Sequence, residues 1–145
     1  MKEKQSTDEI RRVAMTLDNA IENKRLDTVL SCFADDCEIE LLRHSLFGKA
    51  GVEKWFDWLF RNIRQVKIQP VIIMAEGNIL FEEFIVRARL LSGPEVKSKQ
   101  SEVLVFENDK IKCLRLFFDR LDFADMLTKD PVSKAVLSRI LKKSV

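Results

Sequence analysis

Tyrosine is missing from this chain, and histidine occurs once, as His44. Acid–base chemistry must therefore fall on carboxylates, His44, a cysteine or a lysine. Only four glycines and three prolines occur among 145 residues. Neither a linker, a low-complexity tract nor an internal repeat stands out. Three cysteines cannot all pair within one chain. No long apolar run is present either: the most apolar stretch, residues 70–75, falls far short of the ~20 residues that span a bilayer, so no membrane partner is expected. The first residues, MKEKQSTDEIRR, hold no apolar segment, so no secretory signal is expected and a cytoplasmic, reducing location follows. Twenty-five Lys+Arg against 23 Asp+Glu leave a net charge of +2, without the basic excess that nucleic-acid binding requires.

What is present is a chain 46% hydrophobic and 33% charged, the composition of one globular domain over residues 1–145. Ten phenylalanines and two tryptophans supply apolar bulk, so a pocket here would be greasy and suited to a small apolar molecule.

Hydrophobic spacing divides the chain. Ser6 and Glu9 have the form of a capping box, and Ile10, Val13, Ala14, Leu17, Ala20 and Ile21 recur at helical spacing, which predicts a helix over 8–23. Leu26, Val29, Leu30 and Phe33 predict a short second helix ending in Phe33-Ala34-Asp35-Asp36, followed by a strand from Cys37 to Leu42. Gly48 and Gly51 bracket an expected loop. Val52, Trp55, Phe56, Leu59, Phe60 and Ile63 mark a third helix. Strands are then predicted over 66–75, 79–91, 97–107 and 110–118, with turns between them. Pro70 demotes its strand to an edge or marks a bulge. Three helices followed by a meander of long antiparallel strands is an α+β plan.

This order of elements, with LDTVLSCFADDCEIE early and LFFDRLDFADML after the last strand, resembles the nuclear transport factor 2-like superfamily. The likeness is to its SnoaL-like and ketosteroid-isomerase-like branches and covers residues 8–127. It implies a cone-shaped barrel in which a strongly bent antiparallel sheet wraps around the N-terminal helices. It also implies a ligand pocket at the open end and a homodimer through the outer sheet face. In ketosteroid isomerase an Asp abstracts a proton while a Tyr and a protonated Asp hold the oxyanion. Aligned on Phe33-Ala34-Asp35-Asp36, those positions fall on Leu41, Leu17 and near Glu102, so that mechanism is not available here. The SnoaL-like cyclases use a carboxylate near the end of the last strand, where Asp119 stands.

Glu102 and Asp119 are thus the carboxylate candidates for catalysis. Glu102 shares a strand face with Leu104 and Phe106, where a buried carboxyl needs a partner or a raised pKa; its alternative is a solvated or ion-paired residue. Asp119 is either a general base or the N-cap of a following helix. His44, just past the first strand, is a third acid–base candidate, or an exposed loop residue. Leu17, Leu41, Leu104, Phe106, Phe118 and Trp58 are the expected ligand-binding wall. Arg87 and Arg89 share a face and either meet an anionic ligand or pair outside the sheet. Cys32, Cys37, His44 and Cys113 have the ligand types of a zinc site, but their spacing forms no knuckle; no metal and no cofactor is expected. Val103 and Val105 make their strand apolar on both faces, which calls for a second subunit. The basic amphipathic segment over 128–145 reads as a helix closing the cone mouth, its alternative being a helix that lies on a membrane or in a groove. The functional expectation is a cofactor-free isomerase, cyclase or hydratase using a buried carboxylate. The alternative is a non-catalytic ligand-binding or protein-interaction dimer.

Overall fold

The structure, a computed structural model, describes residues 6–91 and 93–124, together with 131, 132, 135, 136, 139 and 142. Helix α1 covers Thr7–Glu22 and buries Ile10, Ala14, Leu17 and Ala20, the stripe its spacing predicts. The expected capping box does not form. Ser6 is the N-cap in extended backbone, but its side chain makes no cap hydrogen bond; its carbonyl accepts from the Ile10 N–H instead. Asp8 and Glu9 still place negative charge against the helix dipole.

Helix α2 covers Leu26–Ser31 and ends earlier than expected, because Phe33 already belongs to strand β1, Phe33–Leu41. The Phe33-Ala34-Asp35-Asp36 segment is a strand start rather than a helix end. It carries a bulge, with the ladder to the neighbouring strand slipping between Phe33 and Glu38. Between Gly48 and Gly51 the structure also differs from expectation. The short strand β2, His44–Phe47, pairs with β1, and helix α3 begins directly at Gly48 and runs to Asn62. Gly48 has φ +67°, a conformation open to glycine at little cost. At Gly51 a Cβ would stand 3.0 Å from the Cβ of Leu46, so its bare backbone lets α3 settle on β2.

Strands β3 (Ile63–Glu76), β4 (Ile79–Leu90), β5 (Glu95–Glu107) and β6 (Lys110–Phe117) complete one sheet in the order β2-β1-β6-β5-β4-β3. All neighbours are antiparallel except β1 and β6, which run parallel. The expected all-antiparallel sheet is therefore corrected to a mixed one. The meander from β3 to β6 works back across the sheet, so its last strand docks beside β1 in the same direction. The α+β cone is otherwise as expected: a strongly curved sheet folded over the helices, left open because β2 and β3 are edges. Pro70 sits on the edge strand β3 and next to a register slip between Pro70 and Ile72, the two places where a missing N–H costs least.

Period-two burial sorts the strands cleanly. On β4, Leu80, Glu82, Phe84, Val86, Ala88 and Leu90 are buried; on β5, Val96, Ser98, Gln100, Glu102, Leu104 and Phe106 are. Leu114 and Leu116 of β6 share this inner face, which settles the parity of the last strand. Arg87 and Arg89 lie outside, Arg87 with Glu95 at 4.0 Å. The segment 128–145 falls largely outside the described residues, and its expected lid role with it; its described positions are helical and exposed.

Candidate functional site

Between α1, α3 and the curved sheet lies a cavity of about 560 Å³, with a wall that is mostly apolar. Leu17 and Ile21 of α1, Trp55 and Leu59 of α3, and Phe84, Val86, Leu114 and Leu116 of the sheet make that wall. Glu22 fixes one side of it: its carboxylate accepts from the Ile68 N–H at 2.8 Å, tying the end of α1 to β3. A short 3-10 turn, Arg120–Phe123, closes part of another side. It is held by a chain of side-chain hydrogen bonds, Gln100 Nε2 to Ser98 Oγ (3.2 Å) and Ser98 Oγ to Asp122 Oδ2 (2.8 Å).

Two carboxyls open into this apolar space, Asp18 from α1 and Glu102 from β5. A third, Glu82 of β4, stands directly across the strand ladder from Glu102. One oxygen from each of the three lies within 4.8 Å of the other two. Burial pushes the Asp18 carboxyl up to about 8, helped by the negative charges of Glu82 and Glu22. Burial first, then the charges of Asp18 and Glu82, holds Glu102 well above the usual carboxylate range. Burial raises Glu82 as well, while a hydrogen bond with Glu102 works the other way. Three carboxyls this close in a greasy wall cannot all ionise at neutral pH. The trio must share protons; Gln100, His44 and Arg120 are the other polar side chains in the lining.

The residues singled out in the sequence separate on this map. Glu102 is in the wall, at 6% exposure. His44, the first residue of β2, also lines the cavity, as do Leu17, Leu41, Phe118 and the half-exposed Trp58. Asp119 lies outside the lining and caps the 3-10 turn, its Oδ1 accepting from the Leu121 N–H at 2.9 Å. Leu104 and Phe106 are packed in the solid core rather than against the cavity, at 0% and 1% exposure. Among the described residues, Cys32, Cys37, His44 and Cys113 do not gather into a metal-binding group.

Asp18 and Glu82 escaped the sequence analysis. Both had a signal. Glu82 alternates with Leu80, Phe84 and Val86, so period two alone puts it on the buried face. Asp18 follows Leu17 and lies four residues after Ala14 and three before Ile21, on the flank of the buried stripe.

Comparison with known proteins agrees with this architecture. The SnoaL-like domain profile matches residues 13–114. A nuclear transport factor 2-like protein of unknown function from Burkholderia pseudomallei superposes with a TM-score of 0.76 at 16% identity, over 83% of this chain and 98% of that one. An epoxide hydrolase from M. tuberculosis gives 0.72 at 21% identity, over 90% and 97%. The epoxide hydrolase/cyclase-like enzyme SalBIII, described in pyran ring formation in the polyether salinomycin, gives 0.72 at 16% identity, over 79% and 94%. At these identities the structures share a fold. A comparison with curated protein sequences finds no match. No helix among the described residues is long and apolar enough to cross a membrane.

Proposed function

The chain belongs to the SnoaL-like domain family, and from that premise we propose that it is a cofactor-free acid–base enzyme acting on a small apolar molecule. The observation that carries this reading is the placing of Asp18 and Glu102 together in the wall of an otherwise apolar cavity. Asp18, held up to about 8, keeps its proton at neutral pH and can give it to a substrate oxygen. The negative charge that remains in the trio is the base, and Glu102 is the member besides Asp18 that presents it to the cavity. Opening an epoxide fits these parts: Asp18 protonates the ring oxygen as its C–O bond breaks. A water or a substrate hydroxyl forms the new C–O bond and passes its proton to Glu102. Water attack gives a diol, and attack by an internal hydroxyl gives a ring. That one superposable protein is an epoxide hydrolase, and another an epoxide hydrolase/cyclase-like enzyme with a role in pyran ring formation, supports this choice of substrate class.

The reading includes a homodimer in the cytoplasm. Across the outer face the strand registers align Met74, Phe81 and Val103 in one row, ended by Arg115, and Ile79, Val105 and Cys113 in the next, flanked by Glu76 and Glu38. Met74 and Ile79 are 62% and 46% exposed, and burial of such a row against a second copy is the economical outcome.

Native mass spectrometry of the purified protein, followed by hydration assays on styrene oxide and cyclohexene oxide, tests the proposal. Turnover that disappears in Asp18→Asn, while the variant stays folded, supports it. Turnover of both epoxides at the buffer rate by a folded wild type would sink the epoxide assignment. Mass of a monomer at micromolar concentration would remove the dimer.

A further inference from the structure

Glu82 is buried to 1% exposure but takes no part in the cavity wall. It stands opposite Glu102 in the β4–β5 ladder, on the same inner face. Like charges directly opposite one another on a sheet are destabilising, and more so away from water. On the far sides of the pair the sheet offers only Ile73, beside Glu82 on β3, and Leu116, beside Glu102 on β6. The titratable group facing the pair from the helices is Asp18, with Glu22 one turn further along α1 and engaged with the Ile68 N–H and, at 4.0 Å, with Lys67. Among the described residues no lysine, arginine or histidine contributes to the shifts of Glu82 and Glu102. One Glu82 oxygen, Oε1, has no hydrogen-bond partner among the described residues, although it is buried. A fixed full charge on that oxygen would be costly.

We propose that Glu82 and Glu102 form a carboxyl–carboxylate pair that shares one proton across β4 and β5, with Glu82 as the positioning residue that makes Glu102 a base. The pair carries one negative charge and one proton. At rest the hydrogen bond between them keeps the proton on Glu102 and the charge on Glu82; when the proton passes to Glu82, its O–H donates to one Glu102 oxygen, and the other Glu102 oxygen is free to accept a proton in the cavity. After that step the pair holds two protons and no charge, and Asp18, having given its own proton to the substrate, carries the charge. Transfer of one proton from Glu102 to Asp18 restores the starting state, so the net charge of the trio is −1 throughout. Glu82 thus supplies the reason why a carboxyl buried in an apolar wall acts as an acceptor rather than as an inert acid. The inference rests on the acid–base reading of the cavity, but its test does not depend on turnover.

The test is a pH titration followed by the carbon-13 shifts of the glutamate side-chain carboxyls. In the wild-type protein the Glu82 and Glu102 signals are each expected to show the same two inflections of the pair, because each senses both of its protons, beside a step that both share with Asp18. In Glu82→Gln the Glu102 signal is expected to lose one of the pair's two inflections and keep its own, at lower pH than the upper wild-type step, since the neighbouring charge is gone; the step shared with Asp18 remains. Glu102→Gln must do the same to the Glu82 signal, and serves where Glu82→Gln does not fold. Two independent single-step curves in the wild type, or a Glu102 curve unaltered by Glu82→Gln, overturn the proposal. Coupled curves together with absent epoxide turnover would leave the pair standing and remove the epoxide assignment.

Discussion

The inner face of β5 changes character halfway along. Phe106 and Leu104 end in packed core, fully buried among apolar neighbours. Glu102, Gln100 and Ser98 follow at the same two-residue spacing and on the same face, yet Glu102 and Gln100 meet a cavity instead. Both halves keep the same alternation of burial, although the ladder to β6 slips between Val105 and Phe106; what separates them is the space above. At the core end Phe33 and Ile111 are packed among the core side chains. At the cavity end α1 and α3 present Leu17, Trp55 and Leu59 but do not fill the volume between them. Curvature of the sheet thus produces a solid end that stabilises the molecule and a hollow end where charge can be buried at the expense of stability. The division of labour between stability and chemistry is made along single strands, not between domains.

Substitutions at the two ends should therefore fail in opposite ways. Glu102→Gln at the hollow end should lower turnover by about 100- to 10,000-fold, the usual worth of a positioned acid or base. Its chemical denaturation midpoint should be equal to or above that of the wild type, because a raised carboxyl has been replaced by a neutral amide. A lowered midpoint with turnover intact would make Glu102 a structural residue and erase the contrast. Leu104→Ala, two residues away, should cost about 2–5 kcal/mol in unfolding free energy, since it leaves a void in packed core. The folded fraction of that variant should keep its turnover, measured at a temperature well below its midpoint.

The pH dependence of stability sharpens the same comparison. Unfolded Asp18 gives up its proton near 3.8, whereas the folded state holds it to about 8. Between those values the folded protein binds more protons than the unfolded chain, so stability falls as pH rises through that window and levels off above it. The slope contributed by one such proton is at most about 1.4 kcal/mol per pH unit. Denaturant midpoints collected from pH 4 to 9 should show this fall, and Asp18→Asn should make it shallower, leaving the part that comes from Glu102 and Glu82. A wild-type midpoint that climbs across the window would contradict the buried, protonated Asp18.

How much of this was legible in the sequence differs between the same two ends. Ile10, Ala14 and Leu17 at helical spacing, and Leu104 and Phe106 at strand spacing, announce the core, because burial repeats with the period of the element. Glu102 could be found for the same reason. The trio could not be assembled, because Asp18, Glu82 and Glu102 come from three elements whose meeting depends on register and curvature. Asp18 borders a helix stripe, and its burial depends on β4 and β5 being beneath it. The parallel docking of β6 beside β1 was also invisible, since adjacency of the first and last strands leaves no local trace. Gly48 and Gly51 misled in a different way. Glycine reads as loop, but here one residue supplies a positive φ at a helix start and the other a close approach between α3 and β2.

The smallest expected effect concerns Asp119, a carboxylate that stands outside the cavity lining. The family likeness assigns Asp119 a catalytic place, whereas its Oδ1 is engaged with the Leu121 N–H at the start of the turn that carries Arg120 and Phe123 into the wall. Asp119→Asn keeps an oxygen for that hydrogen bond, so it should preserve both stability and turnover. Asp119→Ala removes the cap and should cost about 1 kcal/mol in unfolding free energy. Turnover in the alanine variant should then fall only severalfold, as Phe123 loosens from its edge-to-face contact with Phe118, with ring centroids 5.7 Å apart. The asparagine variant separates the two roles, because it lacks the charge but retains the acceptor. If Asp119→Asn lost turnover as completely as Glu102→Gln, the reacting groups would extend past the trio to the rim, and the hollow end of the molecule would hold two proton-transfer sites rather than one.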